Sequence, residues 1–138
     1  MPVKPGENVV RDLLVWLRDH LSEDPWYAEH GVPLLIENQK DILAEVEELL
    51  ATTTGIAVVL KVPRAENNRP ALNVTLELRV LENPLLNRCR ANAATALDVA
   101  WHAALALDGP AAMLRTVEHV EDEALFIASA TLDCVIQR

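Results

Sequence analysis

The chain has 138 residues, 51% of them apolar, and a formal net charge of −9. That is enough material for one domain with its own hydrophobic core, and too apolar for a disordered chain. The acidity argues against specific nucleic-acid binding and against an anionic membrane surface, since both require clustered Lys and Arg.

In chain order, the opening MPVKPGENVVRDLL carries charges through its apolar part and does not read as a secretory signal. From about 6 to 21, Val9, Val10, Leu13, Leu14, Leu17 and Leu21 recur at three- and four-residue steps, which predicts an amphipathic helix. SEDPWYAEHGVP follows as an irregular connection, because Pro25, Gly31 and Pro33 interrupt any regular element. LLIENQKDILAEVEELLATTTG supplies a second helix, N-capped by Asn38 with Asp41 three positions on. It buries Ile42, Val46, Leu49 and Leu50 and ends at Thr52 to Thr54 and Gly55.

Strands come next. In GIAVVLKV, Ile56, Val58, Leu60 and Val62 share one face, and PRAENNRP is a polar loop between Pro63 and Pro70. Leu72, Val74, Leu76, Leu78 and Val80 then alternate strictly with Asn73, Thr75, Glu77 and Arg79, a strand with one dry face and one wet face. At Glu82-Asn83-Pro84 the strand stops. Pro84 holds Asn83 extended, Asn is a strong N-cap, and Pro is favoured at the first helical position. Asn83 and Pro84 therefore mark a fold junction, from which an alanine-rich helix runs to about 107. Its sheet-facing side is read as Ala93, Ala96, Leu97, Ala100, Ala104 and Leu105, with Trp101 beside it. AMLRTVEHV lacks a clean apolar face and reads as an edge strand, Glu121-Asp122-Glu123 as a turn, and 124–136 as a long final strand.

The order is α-α-β-β-α-β-β. It defines a single α+β domain over 1–138, with an antiparallel or mixed four-stranded sheet and helices packed on one face. The second face, through Leu125, Ile127 and Val135, is apolar at its ends and has nothing left in the chain to cover it. A partner subunit is the expected cover. Trp26 and Tyr27, which lie outside any periodic stripe, either cap the edge of the core or join these three as candidate interface residues.

Reactive chemistry is hard to find. None of the four histidines is spaced with Cys, Asp or Glu as a zinc site requires. Asp98 and His102 share a helix face, which is half of a catalytic relay, yet no Ser or Cys completes it. Glu47-Glu48 and Glu121-Asp122-Glu123 read as solvated surface, and with four glycines there is no phosphate-cradling loop. Cys89 and Cys134 are too few for a disulfide framework, and Cys134 falls on an apolar strand face as a small hydrophobe. No catalytic residue, metal or cofactor is expected, and a reducing cytoplasm is the expected location.

The element order, together with Val80, Glu82, Asn83, Pro84, Asn87 and Arg88 in VLENPLLNR, resembles small morphogenesis proteins of long-tailed bacteriophages, in particular the tail-terminator and related minor tail or neck proteins. The resemblance spans about residues 7–137. It implies a mixed α/β subunit of a homo-oligomeric ring, often a hexamer. Such a ring caps the tail tube in the host cytoplasm and virion tail and meets the head-completion proteins. It implies no catalysis, and the chain would belong to a phage or a prophage. The competing reading is an acidic effector-type secretion chaperone, or another non-catalytic interaction domain. The strand-like ending FIASATLDCVIQR weighs against the chaperone, which usually ends in a helix.

Overall fold

The computed structural model describes residues 9–37, 41–90, 93–109, 112–121 and 125–137. It is an α+β fold built on a five-stranded mixed sheet of order β1-β2-β3-β5-β4. In chain order the elements are α1 (Val9–Ser22), α2 (Pro25–His30), β1 (Leu34–Ile36) and α3 (Ile42–Glu48), the last continued by a π-helical segment (Leu49–Thr53). They are followed by β2 (Ile56–Asn68), β3 (Ala71–Glu82), the single turn α4 (Pro84–Asn87), α5 (Ala96–Leu107), β4 (Ala112–Glu121) and β5 (Phe126–Gln137). β1 pairs parallel to β2, and every other pairing is antiparallel.

The main core lies between α1, α5 and one face of the sheet. The periodic leucines of α1, Leu13, Leu14, Leu17 and Leu21, are fully buried, as the three- and four-residue spacing requires. Beneath them and beneath α5 lie Val58 and Leu60 of β2, Val74, Leu76, Leu78 and Val80 of β3, and Ala128, Ala130, Leu132, Cys134 and Ile136 of β5. The two alternating strands are read correctly from their period of two, and β4 is indeed an edge strand. Burial, and secondarily the charge of Asp133, pushes the Cys134 thiol up to about 11, which suits a packing residue.

Four features depart from the sequence expectations. Leu34–Ile36 is a fifth strand, where the sequence predicts only the lead-in to a helix capped at Asn38. It is buried on both faces, Ile36 in the main core and Leu35 on the other side, so it shows no alternation to betray it. SEDPWYAEHGVP holds a short helix. Asp24 caps it by accepting a hydrogen bond from the Tyr27 N–H at 3.1 Å, Pro25 opens it, and Gly31 ends it in the left-handed region at φ 59°. PRAENNRP is not a loop either: β2 continues to Asn68, and residues 63–70 are exposed. A strand wetted on both faces has no hydrophobic period to read. The proposed Asn38 cap lies outside the described residues, as do Asp122 and Glu123 of the expected turn. Of the stripe expected on the second helix, only Leu50 is buried.

The fourth departure is the largest. The helix foreseen from Pro84 to about 107 is two pieces, one turn at Pro84–Asn87 and a restart at Ala96. Thr95 caps the restart, its hydroxyl accepting from the Asp98 N–H at 3.3 Å and donating to the Asp98 carboxylate at 3.0 Å. The buried face of α5 is Ala96, Val99, Ala100, Ala103, Ala104 and Leu107, so small residues bring the helix close to the sheet. Leu97, Trp101 and Leu105, assigned inward or near it from sequence, turn out to solvent at 46%, 48% and 46% exposure. Thr95→Ala is expected to cost about 1 kcal/mol, read as a lower urea midpoint at unchanged m-value.

Candidate functional site

The ENP junction is the densest polar cluster in the described residues. Glu82 continues the dry face of β3 and is completely buried. Its carboxylate accepts from Asn87 Nδ2 at 2.7 Å, from Arg88 Nε at 3.2 Å and Nη2 at 3.4 Å, and from the Ala96 N–H at 3.2 Å. The last contact places a negative charge on the N-terminus of α5, where unpaired N–H groups and the helix dipole favour it. Asn87, also buried, donates to the Ala94 carbonyl at 2.9 Å and accepts from Arg90 Nη1 at 3.2 Å.

The same cluster reaches further. Arg90 donates to the carbonyls of Thr54 at 3.4 Å and His30 at 3.5 Å. Asn83 sends its side-chain amide to the Leu50 carbonyl at 3.0 Å and its backbone N–H to the Gly55 carbonyl at 2.7 Å. It therefore acts as a tie between segments, and no side-chain cap hydrogen bond is made from it to α4. Arg88 leaves the cluster toward solvent, its guanidinium 5.3 Å from the centroid of the Phe126 ring. Its hydrogen bonds to Glu82, and then that group's charge, raise the Arg88 pKa above its ordinary value. The Glu82 carboxylate and the side-chain amides of Asn83 and Asn87 are engaged inside the chain, so the cluster is a staple joining β3, the π-helical segment, α2 and α5.

Asp98 and His102 do not form a relay. Asp98 is engaged by Thr95, while His102 stacks on Trp26 with ring centroids 4.1 Å apart and planes 12° from parallel. His30 covers the other face of the same indole at 4.0 Å, and its Nδ1 meets the Trp26 carbonyl at 2.8 Å. The imidazole–indole–imidazole stack docks α2 on α5 and borders a cleft of about 440 Å³ lined also by Glu29 and Asp98. His102→Ala is expected to lower stability by about 1 kcal/mol, the scale of one aromatic pair, seen as a reduced melting temperature. Among the described residues no group of three or more His, Cys, Asp and Glu is placed to hold a metal ion.

The second face of the sheet is mostly polar, contrary to expectation. Lys61 and Arg79 flank Glu77 at 4.0 and 3.0 Å, and Arg115 pairs with Asp133 at 3.4 Å. Asn73, Thr75, Ser129 and Thr131 fill the rows between them. At the β1–β2 side the chain does supply a cover: the π-helical segment lies against β2, and Leu50 of that segment, Leu35 and Ala57 are buried outside the main core. Toward the hairpin end a cleft of about 760 Å³ opens between Arg64, Thr75, Arg115 and Asp133.

The five candidate interface residues are not brought together. Tyr27 is a core residue, 4% exposed, its phenol pushed up by burial, which removes it from any surface. Trp26 is half-buried in its histidine stack. Leu125 and Ile127 are half-buried near one end of β5, and Val135, 49% exposed, lies near the other. Other large apolar side chains are exposed on α5 (Leu97, Trp101 and Leu105) and singly elsewhere, at Leu43, Leu85 and Met113. No helix among the described residues is long and apolar enough to cross a membrane.

No protein-family model matches the chain, and no curated protein matches it significantly.

Proposed function

We propose that this chain is a structural assembly subunit of a phage or prophage tail, a tail-terminator-like ring component that caps the tail tube and joins it to the head. The observation that carries the reading is the stripe of Leu97, Trp101 and Leu105 along α5. These three large apolar side chains at four-residue steps face solvent on a regular helix, a pattern suited to contact with another chain. The buried carboxylate of Glu82 is committed to its staple, and Glu77 and Asp133 to surface ion pairs. A net charge of −9 suits a lumen through which DNA passes without adhering.

The test is assembly. Light scattering across a wide concentration range, followed by electron microscopy with purified tail tubes, is expected to give a discrete ring seated on tube ends. Monomers under every condition, or a stoichiometric extended client protein in place of a ring, would remove this reading.

A further inference from the structure

Among the described helices, α3 alone has no buried residue. It packs substantially on nothing but the π-helical segment that continues it. That segment is tied down. Asn83 Nδ2 donates to the Leu50 carbonyl at 3.0 Å, Arg90 Nη1 donates to the Thr54 carbonyl at 3.4 Å, and the Leu50 side chain is buried. α3 therefore projects from an anchored base. Its 7 residues are too few for a helix to stand well on backbone hydrogen bonds alone, and Asp41 makes no side-chain cap bond at its start.

The helix is nevertheless amphipathic. By helical periodicity Ile42, Leu43 and Val46 share one side, which runs on toward buried Leu50, with Glu45 on one border of that side and Glu47 on the other. Leu43 is 77% exposed, while Ile42 and Val46 are half-buried. The stripe is thus covered at its Leu50 end and bare at its Leu43 end. Glu45, Glu47 and Glu48 are exposed and form no ion pair with a described residue. Glu45 and Glu48, three positions apart, also repel one another. A bare apolar stripe bordered by unpaired carboxylates is complemented by one kind of neighbour, apolar in the middle and basic at its edges.

We propose that α3 docks a basic amphipathic helix of another protein. Ile42, Leu43 and Val46 form the seam, and Glu45 and Glu47 pair with Lys or Arg on its two sides, as flanking charges do in helix pairs. The stripe is narrow and about two turns long, which suits a helix rather than a flat sheet. A second copy of this chain is a poor occupant. Among the described residues every Lys and Arg except Arg69 already faces a carboxylate or donates to a carbonyl. Two copies, each at a net charge of −9, also repel. The site goes beyond the assembly reading and does not depend on it, since none of its residues lies on α5.

Fluorescence anisotropy of the full chain with a labelled synthetic helix of leucine and lysine tests this, beside the same helix with glutamate for every lysine. The lysine helix is expected to bind and the glutamate helix not to. Leu43→Ser, and Glu45→Gln with Glu47→Gln, are each expected to raise the dissociation constant about tenfold at unchanged melting temperature. The glutamine pair is also expected to flatten the salt dependence. Glu23→Gln with Glu118→Gln removes the same charge from exposed positions elsewhere and is expected to leave binding within about twofold. No binding of the lysine helix, binding indifferent to Leu43→Ser, or equal weakening by the two glutamine pairs overturns the site. Self-association of the chain alone that Leu43→Ser abolishes makes a second copy the occupant and overturns it too. Light scattering without the synthetic helix reads ring assembly separately, so the failure of one reading is distinguishable from the failure of the other.

Discussion

Glu82→Leu is expected to be the most damaging single substitution in the chain. It removes the acceptor for Asn87 Nδ2, the Arg88 guanidinium and the Ala96 N–H together, and leaves buried donors without partners. Breaking a buried polar cluster from one side costs about 3–5 kcal/mol, against which a leucine's extra burial recovers only part. A melting temperature lower by on the order of 10 °C is the corresponding readout. Glu82→Gln keeps an acceptor for Asn87 and Ala96 and is expected to fall well short of that loss. Arg88→Ala, at a half-exposed position, is expected to fall shorter still. If Glu82→Leu melted like the parent, the cluster would not be holding α5 to β3.

Gly55→Ala is the second large effect. Gly55 sits at φ 74°, where an L side chain is strained, and it also lies against α4. A Cβ there would come within 2.5 Å of the Asn87 backbone nitrogen, 2.9 Å of the Leu86 Cβ and 3.1 Å of the Asn83 carbonyl oxygen. The dihedral penalty is about 1–2 kcal/mol, and displacing α4 from the staple brings the total to roughly 3–4 kcal/mol. Gly31→Ala makes a built-in comparison, since its φ is 59° but its Cβ would meet nothing within 4 Å. That change is expected to show the dihedral cost alone. Urea midpoints of the two variants separate strain from collision, and equal losses would mean that Gly55 has room to move.

Much of this fold is legible in sequence because its main core is one-sided. α1 and β3 each bury one regular stripe, so Leu13, Leu17, Leu76 and Leu78 announce themselves by period. The segments that misled are those with no period. Leu34–Ile36 is dry on both faces and residues 63–68 are wet on both, so neither alternates. α5 deceived for another reason. Alanines dominate the region from 93 to 106, and with so little contrast the phase of the helix rests on where Thr95 starts it. The Glu82 staple had a signal in the pattern: the dry positions 72, 74, 76, 78 and 80 continue to 82, and a carboxylate at a dry position must find partners. Its partners, at 87, 88 and 96, lie on loop and helix ends whose approach only the folded chain reveals.

Placing β5 between β3 and β4 divides the folding of the sheet into local and distant events. The β2–β3 and β4–β5 hairpins join sequence neighbours, so each can zip within microseconds. The seam between β3 and β5 joins strands more than forty residues apart along its whole length, from Glu82 with Phe126 to Ala71 with Gln137. Closing that seam is the slow step that contact order imposes, and until it closes both hairpins hold bare edges toward water.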